Sequence, residues 1–340
     1  MENKKETDPR LLEAEFFETP FSFSYSSLNT LLNAPALFYK EYVLQQKVEE
    51  TKKHLLEGTL IHYLILQNQG FDDQFIVLPG LPSDNNKLIA DRIFNEFYPV
   101  KGDENAELAD FGDEIDTVLQ EINLYQAIKD KDKRIAKIVE PKTEEYFNFL
   151  KKAIKRTIVD SNLLDVSTQR ADIVKANPKI RELLGLDLVS DGRTVGVYNE
   201  LEIEIPAAEL GLPFGFKGHL DNMVVLVDKK KVLINDFKTT NKAIADFKES
   251  VDFWNYWLQA AMYVTLAKYY LRQILTDEWV IEFRFIAFDK YNMMYPFEVT
   301  PETMNEWMHK FERVKKEALY HYQFKDFSLP FDFATGSVKL

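Results

Sequence analysis

The sequence predicts an α/β (α+β) protein with a mixed central sheet, flanking helices and a helical insertion. Three observations predict it. VGVYNELEIEI at 195–205 alternates apolar and polar residues at period two, the signature of a half-buried strand. GFKGHLDNMVVLVD (215–228) and KVLINDFKT (231–239) are further strand-like runs, joined so tightly that they must form an antiparallel hairpin. Around them lie helical patterns: an apolar one at 57–67, an amphipathic one at 253–271, and a long charge-rich block at 85–185.

Taken in order, residues 1–20 are polar and acidic and read as a flexible arm. SYSSLNTLLNAPALFYKEYVL, from Ser24, reads as a capped helix, a break at Ala34–Pro35 and a second helix. EGTLIHYLILQ (57–67) is an apolar helix in which Gly58 and His62 share a face. Residues 74–84 suggest a short strand and a turn. WVIEFRFIAFD (279–289) is a strand, and a last helix runs from Pro301 to Tyr320 with Thr300 as its cap. The expected division is an arm at 1–20, an N-terminal helical part of the core at 21–84, a helical lobe at 85–190, and a core at 191–340.

Composition removes several chemistries. With Cys 0, disulfides, thiol catalysis, cysteine zinc sites and cysteine-ligated iron–sulfur clusters are excluded. Gly is scarce, at 12 in 340 residues, and neither GxGxxG nor a Walker loop occurs, so nucleotide-driven chemistry has no support. No stretch approaches the roughly 18 apolar residues of a membrane span, and the N-terminus lacks the pattern of a signal peptide. The expectation is a cytoplasmic protein with no membrane partner. A net charge of −13 disfavours a polyanion partner, but bound cations reverse the local sign of a carboxylate site. The basic runs at 129–137 and 151–156 read first as solvated helix faces and second as contacts for DNA.

The hairpin carries the chemistry. With Lys229 and Lys230 as its turn, Asp221 lies opposite Lys238, and Asp236 is two residues before Lys238 on the same strand. The three then converge on one face. Two carboxylates in an apolar strand pair are costly without a partner, and a divalent cation such as Mg²⁺ or Mn²⁺ is the natural one. Such a cation can polarise a phosphodiester, and a neighbouring lysine can stabilise the developing charge. A surface hairpin with an Asp–Lys cross-strand pair fits the same spacing.

The wider pattern resembles the PD-(D/E)XK nuclease superfamily, in its RecB/RecE-like, phage-type exonuclease branch. The resemblance runs in order through SYSSLNTLLNAPALFY (24–39), GTLIH (58–62), NELEIEI (199–205), FKGHLD (216–221), INDFKTT (234–240) and QAAMY (259–263). It covers about 24–70 and 195–300, not the helical middle. It implies a restriction-endonuclease-like core in which His62, Asp221 and Asp236 bind the metal and Lys238 is the catalytic lysine. Glu200 matches an acidic position on the preceding strand, with Glu202 as the in-phase alternative. Gln259 and Tyr263 match a QxxxY pair, and Thr239 and Thr240 follow the lysine as candidates for phosphate contact. Some relatives carry a cysteine of an iron–sulfur cluster where Ala34 stands; that cluster is excluded here.

The resemblance implies a Mg²⁺- or Mn²⁺-dependent deoxyribonuclease, an exonuclease on linear DNA in recombination, repair or phage genome processing. It leaves open a structure-specific endonuclease and a non-catalytic nucleic-acid-binding or assembly protein. It is compatible with a single-strand annealing or recombination partner protein and with an oligomer. His219 shares a strand face with Asp221 and is expected to line the site, whereas His54, His309 and His321 read as surface residues. FWNYW (253–257) reads as mostly core, with one ring available to stack on an unpaired base.

Overall fold

The period-two runs become long strands, and a computed structural model of the chain, describing residues 8–46, 53–67 and 70–338, shows how they pair. The strands are β1 (Phe21–Phe23), β2 (Phe75–Val77), β3 (Thr157–Val159), β4 (Val195–Ile205), β5 (Phe214–Leu226), β6 (Lys231–Thr239), β7 (Val280–Phe288) and β8 (Met294–Val299). Six form one mixed sheet, ordered β1-β5-β6-β7-β8, with β4 paired to β5. The β4–β5, β5–β6 and β7–β8 pairs are antiparallel, while β1–β5 and β6–β7 are parallel. Parallel β6 and β7 require a crossover, and the helices Phe247–Phe253 and Tyr256–Tyr270 supply it. The mixed sheet with flanking helices is the architecture the sequence predicts. β1, β3 and β8 were not anticipated: β1 and β3 have three residues each, β3 interrupting the block read as helical, and Pro296 disguises β8, tolerable because β8 is an edge strand.

Helices cover both faces. On one, Met223, Val225, Val232, Ile234, Phe283 and Phe285 pack with Leu258, Ala261, Met262 and Leu266 of helix Tyr256–Tyr270 and with Phe311 of helix Pro301–Phe324. On the other, Phe237, Ile286 and Phe288 pack with Ile61 and Ile65 of helix Lys53–Leu66 and with Ala171, Val174, Ile180 and Leu184.

The hairpin register differs from the sequence expectation. Leu226 pairs with Lys231 and Asn222 with Asn235, so the turn is Val227–Lys230 rather than Lys229–Lys230 alone. Continued by one step, this register sets Asp221 against Asp236 instead of Lys238. The slip is two residues. A one-residue slip exchanges sheet faces and a two-residue slip does not, so the convergence of the three side chains survives.

Two boundaries also move. Pro9–Glu18, within the expected arm, is a helix capped by Asp8, and its Phe16 is buried in the main core. A single aromatic anchor among polar residues orders it; residues 1–7 lie outside the described residues. The inserted unit is Asn68–Gln169, with the rest of the chain forming the other unit. The insertion has its own core, including Ile93, Phe111, Ile115, Leu119 and Phe147, and a two-stranded parallel β2–β3 sheet. The chain from Arg170 to 190 belongs instead to the sheet unit, because Ala171, Val174, Ile180 and Leu184 close one sheet face. Within the insertion, Lys131, Lys133 and Arg134 of the first basic run are ion-paired with Asp113, Asp130 and Asp116.

Gly218 sets how closely helix Tyr256–Tyr270 approaches β5. A Cβ there would stand 2.5 Å from Leu266 Cδ1 and 3.0 Å from the Tyr263 ring. Gly218→Val should destabilise the protein by about 1–3 kcal/mol through overpacking, read as a lower denaturant midpoint at unchanged m-value.

Candidate metal and catalytic site

The site forms where β5 loses a neighbour. β4 runs along one edge of β5, while the other edge is shared: β1 pairs with Phe214–Phe216 and β6 with Asn222–Leu226. Residues 217–221 lie in the gap between them. At its end the Asp221 side chain replaces the missing ladder bond, Oδ2 accepting from the Phe237 N–H at 2.7 Å.

Opposite Asp221 on β4, Glu200 interrupts the ladder with a left-handed backbone, φ +51°. The two strands exchange faces there: Tyr198 and Leu201, three apart, both pack on the same core, as do Leu220 and Met223. Strict alternation forbids that spacing. A left-handed non-glycine residue costs on the order of 1–3 kcal/mol and persists only where its surroundings hold it. Its consequence is that Glu200 joins Asp221 instead of staying in phase with Glu202, which is exposed.

From the other sheet face, helix Lys53–Leu66 brings in His62. Its Nδ1 stands 3.6 Å from Asp221 Oδ1 and 3.9 Å from Glu200 Oε1. His62, Glu200 and Asp221 each offer a ligand atom, all within 4.8 Å of one another. His219 Nδ1 lies 3.0 Å from Glu200 Oε2, at the exposed side of the cluster.

Asp236 and Lys238 project beside this cluster. Asp236 is fully buried, with Oδ2 ion-paired to Lys238 and Oδ1 accepting from Gln259 Nε2 at 2.9 Å. Gln259 Nε2 also donates to the Tyr263 hydroxyl at 3.0 Å, so Gln259 and Tyr263 form a buried support behind Asp236. Lys238 Nζ rests 4.9 Å from the centre of the Tyr256 ring. Thr239 pairs with Phe288 at the end of β6 and its Oγ1 faces Gly58. Thr240 Oγ1 accepts from the Lys242 N–H at 3.1 Å.

Electrostatically the site holds too many carboxylates. Burial, with Asp221 and Asp236 nearby, pushes Glu200 up to about 8. Burial lifts Asp236 to about 6 against the pull of Lys238, and raises Asp221 against the same pull. Burial disfavours the Lys238 charge, yet Asp236 and Asp221 outweigh it and hold the ammonium more firmly than usual. Burial, then Lys238, holds His62 down to about 4, leaving a neutral imidazole. Glu200 Oε1 is buried without a hydrogen-bond partner among the described residues. A neutral imidazole, carboxylates lifted chiefly by burial and an orphaned buried oxygen are the donor chemistry that a divalent cation satisfies.

Some residues escaped sequence reasoning. Tyr256 precedes Gln259 by three and Tyr263 by seven, so helical spacing alone would have found it. Tyr25, whose hydroxyl donates to the Trp254 carbonyl at 2.5 Å, comes from a distant helix and carries no such signal. FWNYW is less of a core than expected: Phe253 is 71% and Trp254 53% exposed, while Tyr256 and Trp257 pack on the core. The reason is a break between helices, with Asn255 left-handed. His321, read as a surface residue, is buried, with Nδ1 against the Asp326 carbonyl; His309 is exposed, and the His54 side chain lies outside the described residues.

A family model described as the PD-(D/E)XK nuclease superfamily matches residues 22–326. Among solved structures, a candidate exonuclease from Eubacterium rectale is similar, with a TM-score of 0.42 and 9% identity, covering 93% of this chain and 86% of that one. No curated protein matches.

Gln259→Leu should strip the hydrogen bond from buried Asp236. A loss of about 1–3 kcal/mol is expected for a buried acceptor left unpaired, measured by chemical denaturation of the metal-free protein.

Proposed function

The chain belongs to the PD-(D/E)XK nuclease superfamily, and from that premise we propose that it is a Mg²⁺- or Mn²⁺-dependent deoxyribonuclease. We read it as an exonuclease of the RecB/RecE-like branch, acting on linear DNA in recombination, repair or phage genome processing. The observation that carries this is the His62–Glu200–Asp221 cluster set directly beside the Asp236–Lys238 pair.

A divalent cation bound there supplies Lewis acidity toward a phosphodiester and offsets the negative charge that develops during in-line displacement. His62, Glu200 and Asp221 are its proposed ligands, with Asp236 next to them. Lys238 is the fixed cation: Asp236 keeps it protonated and the Tyr256 ring lies against it, so its ammonium can meet charge forming on a phosphate oxygen. Gln259 and Tyr263 hold Asp236 in place. A basic group charged and aimed before substrate arrives needs no reorganisation during the reaction.

Linear double-stranded DNA should be degraded with Mg²⁺ or Mn²⁺ and protected by EDTA. Asp236→Ala and Lys238→Ala should each lower the rate by about 100-fold or more, in a gel assay on purified folded protein. Full activity in either variant would contradict the assignment, and cleavage of covalently closed circular DNA would turn the reading toward an endonuclease.

Phe253 and Trp254 pack edge to face, 4.7 Å apart, at the corner from which Tyr256 enters the site. Exposed rings stack on unpaired bases for about 1–3 kcal/mol each. The Phe253→Ala, Trp254→Ala double variant should raise KM for frayed ends more than tenfold while kcat changes little, in steady-state assays on end-labelled DNA.

A further inference from the structure

Three asparagines stand one residue away from the three site carboxylates, each on a different strand: Asn199 before Glu200, Asn222 after Asp221, and Asn235 before Asp236. They are cross-strand neighbours, Asn199 paired with Asn222 and Asn222 with Asn235. Their side chains continue the row. Asn235 Nδ2 donates to Asn222 Oδ1 at 2.7 Å, and Asn222 Nδ2 donates to Asn199 Oδ1 at 2.8 Å. Asn222 and Asn235 are completely buried.

The row is also tied to the helices that cover it. Asn199 Nδ2 donates to the Leu66 carbonyl at 3.0 Å, Asn222 Nδ2 to that of Leu184 at 3.1 Å, and Asn235 Nδ2 to that of Leu183 at 2.9 Å. Leu66 ends the helix that carries His62, and Leu183 and Leu184 end helix Pro178–Leu184. Terminal helix carbonyls lack intrahelical partners, so the asparagines satisfy groups that would otherwise be buried and unmet.

The row's position gives it a further consequence. β5 and β6 are paired up to Asn222–Asn235 and part beyond it, and the β4–β5 ladder breaks at the next residue, Glu200. The asparagines are thus the last cross-link between β5 and β6 before those two strands part, and they stand one residue before the Glu200 break in a β4–β5 ladder that resumes at Leu201. We propose that Asn199, Asn222 and Asn235 are positioning residues that set the mutual spacing of Glu200, Asp221, Asp236 and His62, and so the affinity of the site for a divalent cation. An apolar row would pack as well, but would leave the strands and the His62 helix free to adjust separately. The inference rests on the metal reading above.

The test is Mn²⁺ binding to purified full-length protein, followed by the electron paramagnetic resonance signal of free Mn²⁺, with thermal midpoints recorded in parallel. Asn222→Leu removes the centre of the row at nearly constant volume. Asn199→Ala cuts the link to the His62 helix at the row's exposed end, where folding is least at risk. Ile180→Ala, in the same apolar cluster but outside the row, is the control for stability alone. Asn222→Leu and Asn199→Ala should weaken Mn²⁺ binding by about 10- to 100-fold, the usual effect of removing groups that orient metal ligands. Ile180→Ala should stay within twofold of wild type despite a lower midpoint. If Asn222→Leu does not fold, Asn199→Ala decides. Wild-type binding with unchanged affinity in the asparagine variants overturns the positioning role alone. Wild-type protein that takes up no Mn²⁺ overturns the metal centre, and the positioning role with it.

Discussion

Burying carboxylates side by side is the constraint on which the rest of this structure depends. Asp221 and Asp236 are almost inaccessible to water, Glu200 is half-buried beside them, and Lys238 is the cation ion-paired to Asp236. In a low-dielectric interior such an arrangement is unfavourable unless charge or hydrogen bonds compensate it. The fold meets this in parts. The Phe237 N–H serves Asp221, Gln259 and Lys238 serve Asp236, and His219 serves Glu200. What remains uncompensated is an oxygen of Glu200 and the burial that, with Asp221 and Asp236 beside it, lifts Glu200 toward protonation. That residue of unfavourable energy is what suits the cluster to a cation, and membership of a nuclease superfamily fits it.

The sheet accommodates this by local departures from regularity. One edge of β5 is divided between β1 and β6, and the faces of β4 and β5 exchange at a left-handed Glu200. Both lie at the same point along β5. Regular pairing on either side, with large apolar clusters on both faces, over-determines the irregular residues between. Strain of this kind belongs where the surroundings are stiffest.

Much of the architecture was legible in sequence. β4 and β6 have the limits of the runs at 195–205 and 231–239 that read as strands, the final helix begins at its Thr300 cap, and the helix carrying His62 lies where its apolar run placed it. The elements missed are those whose signals are shortest or obscured: three-residue β1 and β3, proline-containing β8 and the helix anchored by Phe16. Of the site, Asp221, Asp236 and Lys238 converge as their spacing suggests, although by a register two residues away from the one expected. Glu200 and Glu202 could not be separated by pattern, because alternation assumes a regular strand and the backbone at Glu200 is not regular.

Local chemistry, then, was determined by the sequence itself: which segments alternate, which residues cap, and which acids and bases are present without cysteine. These depend on neighbours two to four residues apart, and the chain carries that information in its order. Tertiary structure alone decided that Glu200 turns toward His62, that the Tyr256 ring lies against Lys238 while Tyr25 ties down the Trp254 carbonyl, and that three asparagines from three strands form one row. Each depends on groups between 13 and more than two hundred residues apart, meeting through backbone geometry that no periodic pattern encodes.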